Sequence, residues 1–194
     1  MAHSAEERLK LYTVGIAGCG GLGSNCAVSL ARVGIGHLIL VDFDVIEPGN
    51  LNRQYYFLDQ VGQKKVEALK SNILRIHPDL RIDTYPVMLD PGKVLGIFQE
   101  CDVIVEAFDR KEMKLMIAET VLTHMPHIPL VMGSGLAGWG NNDQLVTKRY
   151  DNLYVCGDLT SEASDQLPPL APRVGIVANM QANVVMEILL GKKT

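Results

Sequence analysis

Residues 14–25 read VGIAGCGGLGSN, a strand-like apolar run that breaks into glycines and resumes as a helix. Gly18, Gly20 and Gly23 match G-x-G-x-x-G, a spacing that turns a strand tightly into a helix whose first N–H groups face a phosphate. Asp42 stands about 20 residues further on, where an acid that accepts hydrogen bonds from a ribose belongs. On its own this stretch is an NAD fingerprint. A tight strand-to-helix turn without a ligand uses the same glycines.

The rest of the chain repeats the alternation of strand and helix. Tyr12–Gly18, His37–Asp42, RIDTYPV, Asp102–Phe108 and Pro129–Ser134 have strand patterns, with QLVTKRY as a weaker one. Between them, Gly21–Gly34, QKKVEALKSNILRIHP and KEMKLMIAETVLTH carry helical stripes; the second is stopped by Pro78. Asp151–Pro172 is rich in turn formers and is expected to be a crossing loop, and RVGIVANMQANVVMEILLG a closing helix. The pattern predicts an α/β fold: a Rossmann-like, mostly parallel sheet with helices on both faces, a crossing loop and a C-terminal helix.

The 194 residues suit one domain, expected over 1–194, and are too few for a nucleotide domain plus a full substrate domain. A net charge of −4 gives no electrostatic reason to expect nucleic acid or a membrane surface as partner. No uninterrupted apolar run is long enough for a membrane span, and MAHSAEERLK lacks the apolar core of a signal peptide. Cys19, Cys26, Cys101 and Cys156 are scattered without a C-x-x-C pair, which excludes a zinc ribbon and points to free thiols and a cytoplasmic location.

Ligands of an open parallel sheet bind beyond the carboxyl ends of its strands. There the chain places Asp42, Asp44, Glu47, Asn50, Asn52, Arg53 and Gln54 in quick succession, more polar than a dehydrogenase shows after its ribose acid. Arg53 offers a planar fork of donors to phosphate, although a solvated arginine looks the same in sequence. Lys65 lies only about 40° and 20° around the helix from Leu69 and Ile76, on the inward stripe. A lysine there either snorkels out or holds an anion. Two cations beside a glycine turn suggest a triphosphate. Asp109 follows the strand at 102–108, placed either to ligate the Mg²⁺ of ATP or to cap the helix from Lys111.

GCGGLG, VDFDVIEPGNLNRQ, GQKK and EAFD, in this order, resemble the ubiquitin-activating-enzyme superfamily in its HesA/MoeB/ThiF form. With APRVGIVANMQAN, the chain is similar above all to compact zinc-free ThiF-like proteins of thiamine biosynthesis. The resemblance implies an ATP-dependent adenylyltransferase acting on the C-terminal glycine of a small ubiquitin-like sulfur carrier similar to ThiS, ending in Gly-Gly. It implies a homodimer. Gly18, Gly20, Gly21 and Gly23 would cradle ATP, with Asp42 on the ribose and Asp44 beside it. Asn50, Arg53 and Lys65 would contact the phosphates, and Asp109 would be the Mg²⁺-associated catalytic aspartate. The small residues of GSGLAGWG would let a glycine tail lie close to the sheet.

The departures from the family pattern carry expectations too. Relatives hold structural zinc through two C-x-x-C pairs; only Cys156 stands in that region, so no zinc is expected. No cysteine precedes the AP before the last helix, which leaves Cys156, on the crossing loop, as the candidate for covalent chemistry beside an inert role. Arg110 replaces a common asparagine, and Arg8 is the nearest match to an arginine that reaches a partner subunit. Activation of another sulfur carrier, as by MoeB, remains open. So do an NAD-binding oxidoreductase and a catalytically weak carrier-binding scaffold.

Overall fold

Strand β1 (Thr13–Ala17) runs through the middle of the molecule because its residues are apolar on both sides. Val14 and Ile16 enter one core and Ala17 the other. The computed structural model describes residues 4–191, so the outermost ends of the expected 1–194 domain lie outside the described residues. Around β1 follow α1 (Ala5–Leu9), α2 (Gly21–Arg32), β2 (His37–Val41), α3 (Lys65–Leu74), β3 (Arg81–Tyr85), α4 (Pro91–Phe98), β4 (Val103–Glu106) and α5 (Lys111–His124). Then come β5 (Leu130–Gly133), β6 (Val146–Tyr150), β7 (Leu153–Gly157) and α6 (Ala171–Leu190).

The strand order is β3-β2-β1-β4-β5-β7-β6, parallel throughout except for β6, which runs antiparallel to β7. The order reverses between β1 and β4, so the sheet opens a crevice at the carboxyl ends of those two strands. One core packs α2, α3 and α6 over Ile16, Leu38, Leu40, Val105 and Val131. The other packs α4 and α5 over Ile39, Val41, Ile104 and Leu130. The α/β class and both helical layers are as the periodicity predicts.

Three elements depart from the expected order. Part of the expected crossing loop Asp151–Pro172 is β7, paired with β5 and β6. Tyr150 pairs with Leu153 across a two-residue turn in which Asp151 has φ 50. The signal was present: acid-asparagine between apolar residues is hairpin chemistry. The crossing segment therefore begins at Asp158 and α6 starts at Ala171. Helix α4 is short, but Asp90 caps it by accepting the Lys93 N–H at 2.9 Å, and Pro91 opens it. Helix α1 is capped by Ser4 and Glu7 reciprocally. Its Arg8 donates to the carbonyl of Leu190 at 2.7 Å, a cation on the C-terminus of α6. Within the single chain Arg8 is thus held at the end of α6.

Helix α6 is long and apolar enough, by length and composition alone, to cross a membrane, and half of that span is buried inside the fold against α2, β4, β5 and β7. The close approach of α2 to β1 rests on Gly23, where an added Cβ would lie 1.8 Å from the Gly18 carbonyl oxygen. Gly23→Ala is expected to cost about 2 kcal/mol by overpacking, read as a lowered urea midpoint with unchanged m-value.

Candidate functional site

A cavity of about 510 Å³ fills the crevice at the carboxyl edge of the sheet, a size suited to a small-molecule ligand. The glycine turn forms its floor. Gly18 has φ 95, and a Cβ there would lie 2.9 Å from the Ala107 carbonyl oxygen, so the chain leaving β1 can pass this close to the chain leaving β4 only because this residue is glycine. Gly20 and Gly21 line the cavity where α2 begins and its first N–H groups have no intrahelical acceptor. Tyr56, buried, supports the turn from below by donating its hydroxyl to the Cys19 carbonyl at 2.7 Å. Gly23 is absent from the lining; its role is helix packing.

Asp42 follows β2 and faces the same cavity. Its Oδ2 accepts the Cys19 N–H at 2.7 Å and its Oδ1 the Asp44 N–H at 2.8 Å. Burial pushes its carboxyl above the usual carboxylate range, against the pull of those two N–H groups and Lys65. Each oxygen keeps a further lone pair, enough for a pair of ribose hydroxyls. Lys65, at the start of α3 and almost fully buried, donates to Asp44 Oδ2 at 2.8 Å. The inward lysine thus holds an anion of its own chain, with two ammonium protons to spare. Arg53 lines the cavity and spends one guanidinium nitrogen on Asn52 Oδ1 at 2.7 Å and on the Gly49 carbonyl. Its other nitrogens are left for a ligand.

Asp109 lies on the rim, exposed, with no hydrogen bond to any described residue. It does not cap α5: the N-cap position is Arg110, which has no side-chain cap bond. Asn50 stands outside the cavity lining: its Oδ1 accepts the Glu47 N–H at 3.0 Å, closing a turn at Pro48–Asn50. Cys156 is a correction. It lies in β7, not on a mobile loop; its side chain is in the core, and burial pushes its thiol upward. Cys19, Cys26 and Cys101 are buried as well, the last pushed up to about 12. A disulfide reagent is expected to leave all four thiols untouched in native protein at pH 8 and to titrate them only in denaturant.

Several lining residues have no assigned role in the sequence pattern. Val41, Phe43, Val87, Met88, Leu89 and Phe108 make an apolar slot beside Asp42, fit for a planar base. Gln54 lines the cavity over the Gly20 turn, and its Oε1 is buried without a partner. Its place in N-L-N-R-Q was the available signal. Arg110 and Lys111 add positive charge at the mouth. Glu106, fully buried at the end of β4, is held by Lys114, whose Nζ donates to both carboxylate oxygens at 2.9 Å and to the Gly133 carbonyl at 2.8 Å. Burial pushes the Glu106 carboxyl upward while Lys114 draws it back. Among the described residues no three His, Cys, Asp or Glu side chains gather as a metal-binding group.

Fold and site define a Rossmann-like protein with a phosphate-type glycine turn at its switch point and an acid on the neighbouring strand. The chain belongs to the ThiF family, which it matches over residues 1–194. It is 32% identical to the adenylyltransferase and sulfurtransferase UBA4 of Eremothecium gossypii, covering 97% of this chain and 44% of that protein. It is 29% identical to the molybdopterin-synthase adenylyltransferase of Escherichia coli, covering 96% of this chain and 76% of that protein. The chain thus spans less than half the length of the UBA4 relatives it matches. Among solved structures, E. coli tRNA N6-threonylcarbamoyladenosine dehydratase in complex with AMP shares the fold with a TM-score of 0.88 at 19% identity, covering 97% of this chain and 90% of that chain. E. coli MccB, solved with AMPCPP and MccA, has a TM-score of 0.74 at 25% identity, covering 95% of this chain and 57% of that one.

Proposed function

We propose that this chain is an ATP-dependent adenylyltransferase that activates the C-terminal carboxylate of a small ubiquitin-like sulfur carrier ending in Gly-Gly, and that it works as a homodimer. The observation that carries the reading is the convergence of Gly20, Gly21, Asp42, Arg53, Lys65 and Asp109 on one cavity at the switch point. In this reading the base enters the slot at Phe43 and Met88, Asp42 takes the ribose hydroxyls, and the α2 N-terminus, Arg53 and Lys65 hold the phosphates.

The carrier carboxylate oxygen attacks the α-phosphorus, the bond from that phosphorus to the bridging oxygen breaks, and pyrophosphate leaves. No protein nucleophile or acid-base pair is required, because both reacting groups are already ionised and ATP brings its own leaving group. Catalysis then rests on alignment and on cations near the charge that develops on the phosphates. Asp109, bonded to no described residue and on the rim of the same cavity, would be the carboxylate that holds the Mg²⁺ accompanying ATP, an ion that would supply positive charge against the phosphates.

A ThiS-like carrier of thiamine biosynthesis is the partner favoured by the compact N-L-N-R-Q and APRVGIV pattern. The likeness to a molybdopterin-synthase adenylyltransferase supports a MoaD-type carrier as the second choice. Exchange of labelled pyrophosphate into ATP, dependent on one of these carriers, is the expected result. Calorimetry that finds NAD bound and ATP ignored would sink the proposal.

A further inference from the structure

Two charged side chains are buried where the segment after β7 meets the first turn of α6. Arg173 Nη2 donates to Asp158 Oδ2 at 2.5 Å, with side chains only 5% and 4% exposed. Its Nη1 donates to the Gly140 carbonyl. A cation in the first turn opposes the helix dipole, so this pair does not serve the helix. It serves the crossing segment. Asp158 Oδ1 accepts the N–H groups of Thr160 at 2.8 Å and Ser161 at 2.7 Å. The N–H groups of Asp158 and Leu159 donate to the carbonyls of Gly135 and Ser134.

Pinned between these bonds, Leu159 has φ 67, a left-handed conformation that branched apolar residues rarely adopt and that the surroundings must enforce. It lines the cavity. The strand order says which part of the cavity this is. Along the edge β2-β1-β4-β5-β7, Asp42 follows β2, the glycine turn β1 and Asp109 β4, while Gly133 ends β5, Ser134–Ala137 follow it and Leu159–Ala163 follow β7. In this reading the leaving pyrophosphate lies toward the α2 N-terminus, Arg53 and Lys65, beside β1 and β2, and a carboxylate that attacks in line with it comes in from the opposite side, over β5 and β7. Much of that wall is small: Gly133, Ser134, Gly135 and Ala137. Leu136, also bulky, has no positive φ.

We propose that Leu159, held in its strained conformation by Asp158 and Arg173, limits the side-chain size of the last two residues of the acyl substrate, so that glycine is accepted and larger residues are rejected. This inference rests on the adenylation reading above. One extra methylene in a fitted pocket is worth about 10- to 200-fold in discrimination.

Pyrophosphate exchange is measured with carriers ending in Gly-Gly, Ala-Gly and Gly-Ala. Wild type is expected to prefer Gly-Gly by at least about 10-fold, and Leu159→Gly, which removes both bulk and backbone strain, to reduce that preference about 10-fold with ATP KM unchanged. Leu159→Asn, similar in size and tolerant of the left-handed region, is expected to keep the preference. Thermal melts check that both variants fold. Leu159→Gly that folds, exchanges and discriminates like wild type overturns the role of Leu159 and leaves adenylation standing. Wild-type protein inactive with every tail would overturn the adenylation reading and this inference with it.

Discussion

Asp109→Ala is expected to lower carrier-dependent pyrophosphate exchange by about 10²- to 10³-fold, the scale on which removal of one preorganised electrostatic group acts. The stability of the protein should change by no more than about 0.5 kcal/mol, because the carboxylate is exposed and bonds to no described residue. That contrast makes Asp109 a clean test: a side chain the fold does not use can be lost only at the expense of a ligand. Asp109→Asn separates charge from shape. If the carboxylate serves a cation among the phosphates, Asn is expected to be nearly as damaging as Ala, with the loss in kcat rather than in ATP affinity. Exchange within about twofold of wild type for both variants would remove Asp109 from the mechanism.

The glycine turn, Asp42 and the inward face of Lys65 were legible in the sequence because each follows from a local rule. A strand-turn-helix needs glycine where backbones meet, and a helix of period 3.6 fixes which lysine points inward. What escaped depends on contacts distant in sequence. Nothing near Asn50 says that its carboxamide oxygen accepts the Glu47 N–H. Nothing near Cys156 says that a turn-rich stretch folds back as β7, although Asp151-Asn152 hinted at the hairpin. The Asp158–Arg173 pair joins positions on either side of a turn-rich stretch without period, where periodicity gives no register. The apolar base slot was hidden for a different reason: Phe43, Val87 and Met88 look like ordinary core residues until the sheet order brings the ends of β2 and β3 together.

Lys114 poses the last choice, since it lines the cavity and could be read as a phosphate ligand. Its ammonium has three protons, and three oxygens of its own chain take them: both of Glu106 and the Gly133 carbonyl. It is therefore a strut between β4, β5 and α5, and its loss is expected to act on stability first. Lys114→Met strands a fully buried carboxylate, a change expected to cost about 3 kcal/mol at pH 7. The sign of the pH dependence follows. Burial already raises the Glu106 carboxyl above its unfolded value, and losing Lys114 raises it further. Below the unfolded pKa, about 4.3, the group is protonated in both states and the penalty is small. As pH rises through the raised folded value, the unfolded state ionises more readily and stability is lost. The gap between Lys114→Met and wild type in urea melts is thus expected to widen from pH 4 to pH 7. Adding Glu106→Gln to Lys114→Met removes the stranded charge and is expected to restore part of the stability at pH 7. A gap equal at both pH values, or a double variant no better than the single one, would mean that Lys114 does not neutralise Glu106, and its ammonium would then be free to meet a phosphate.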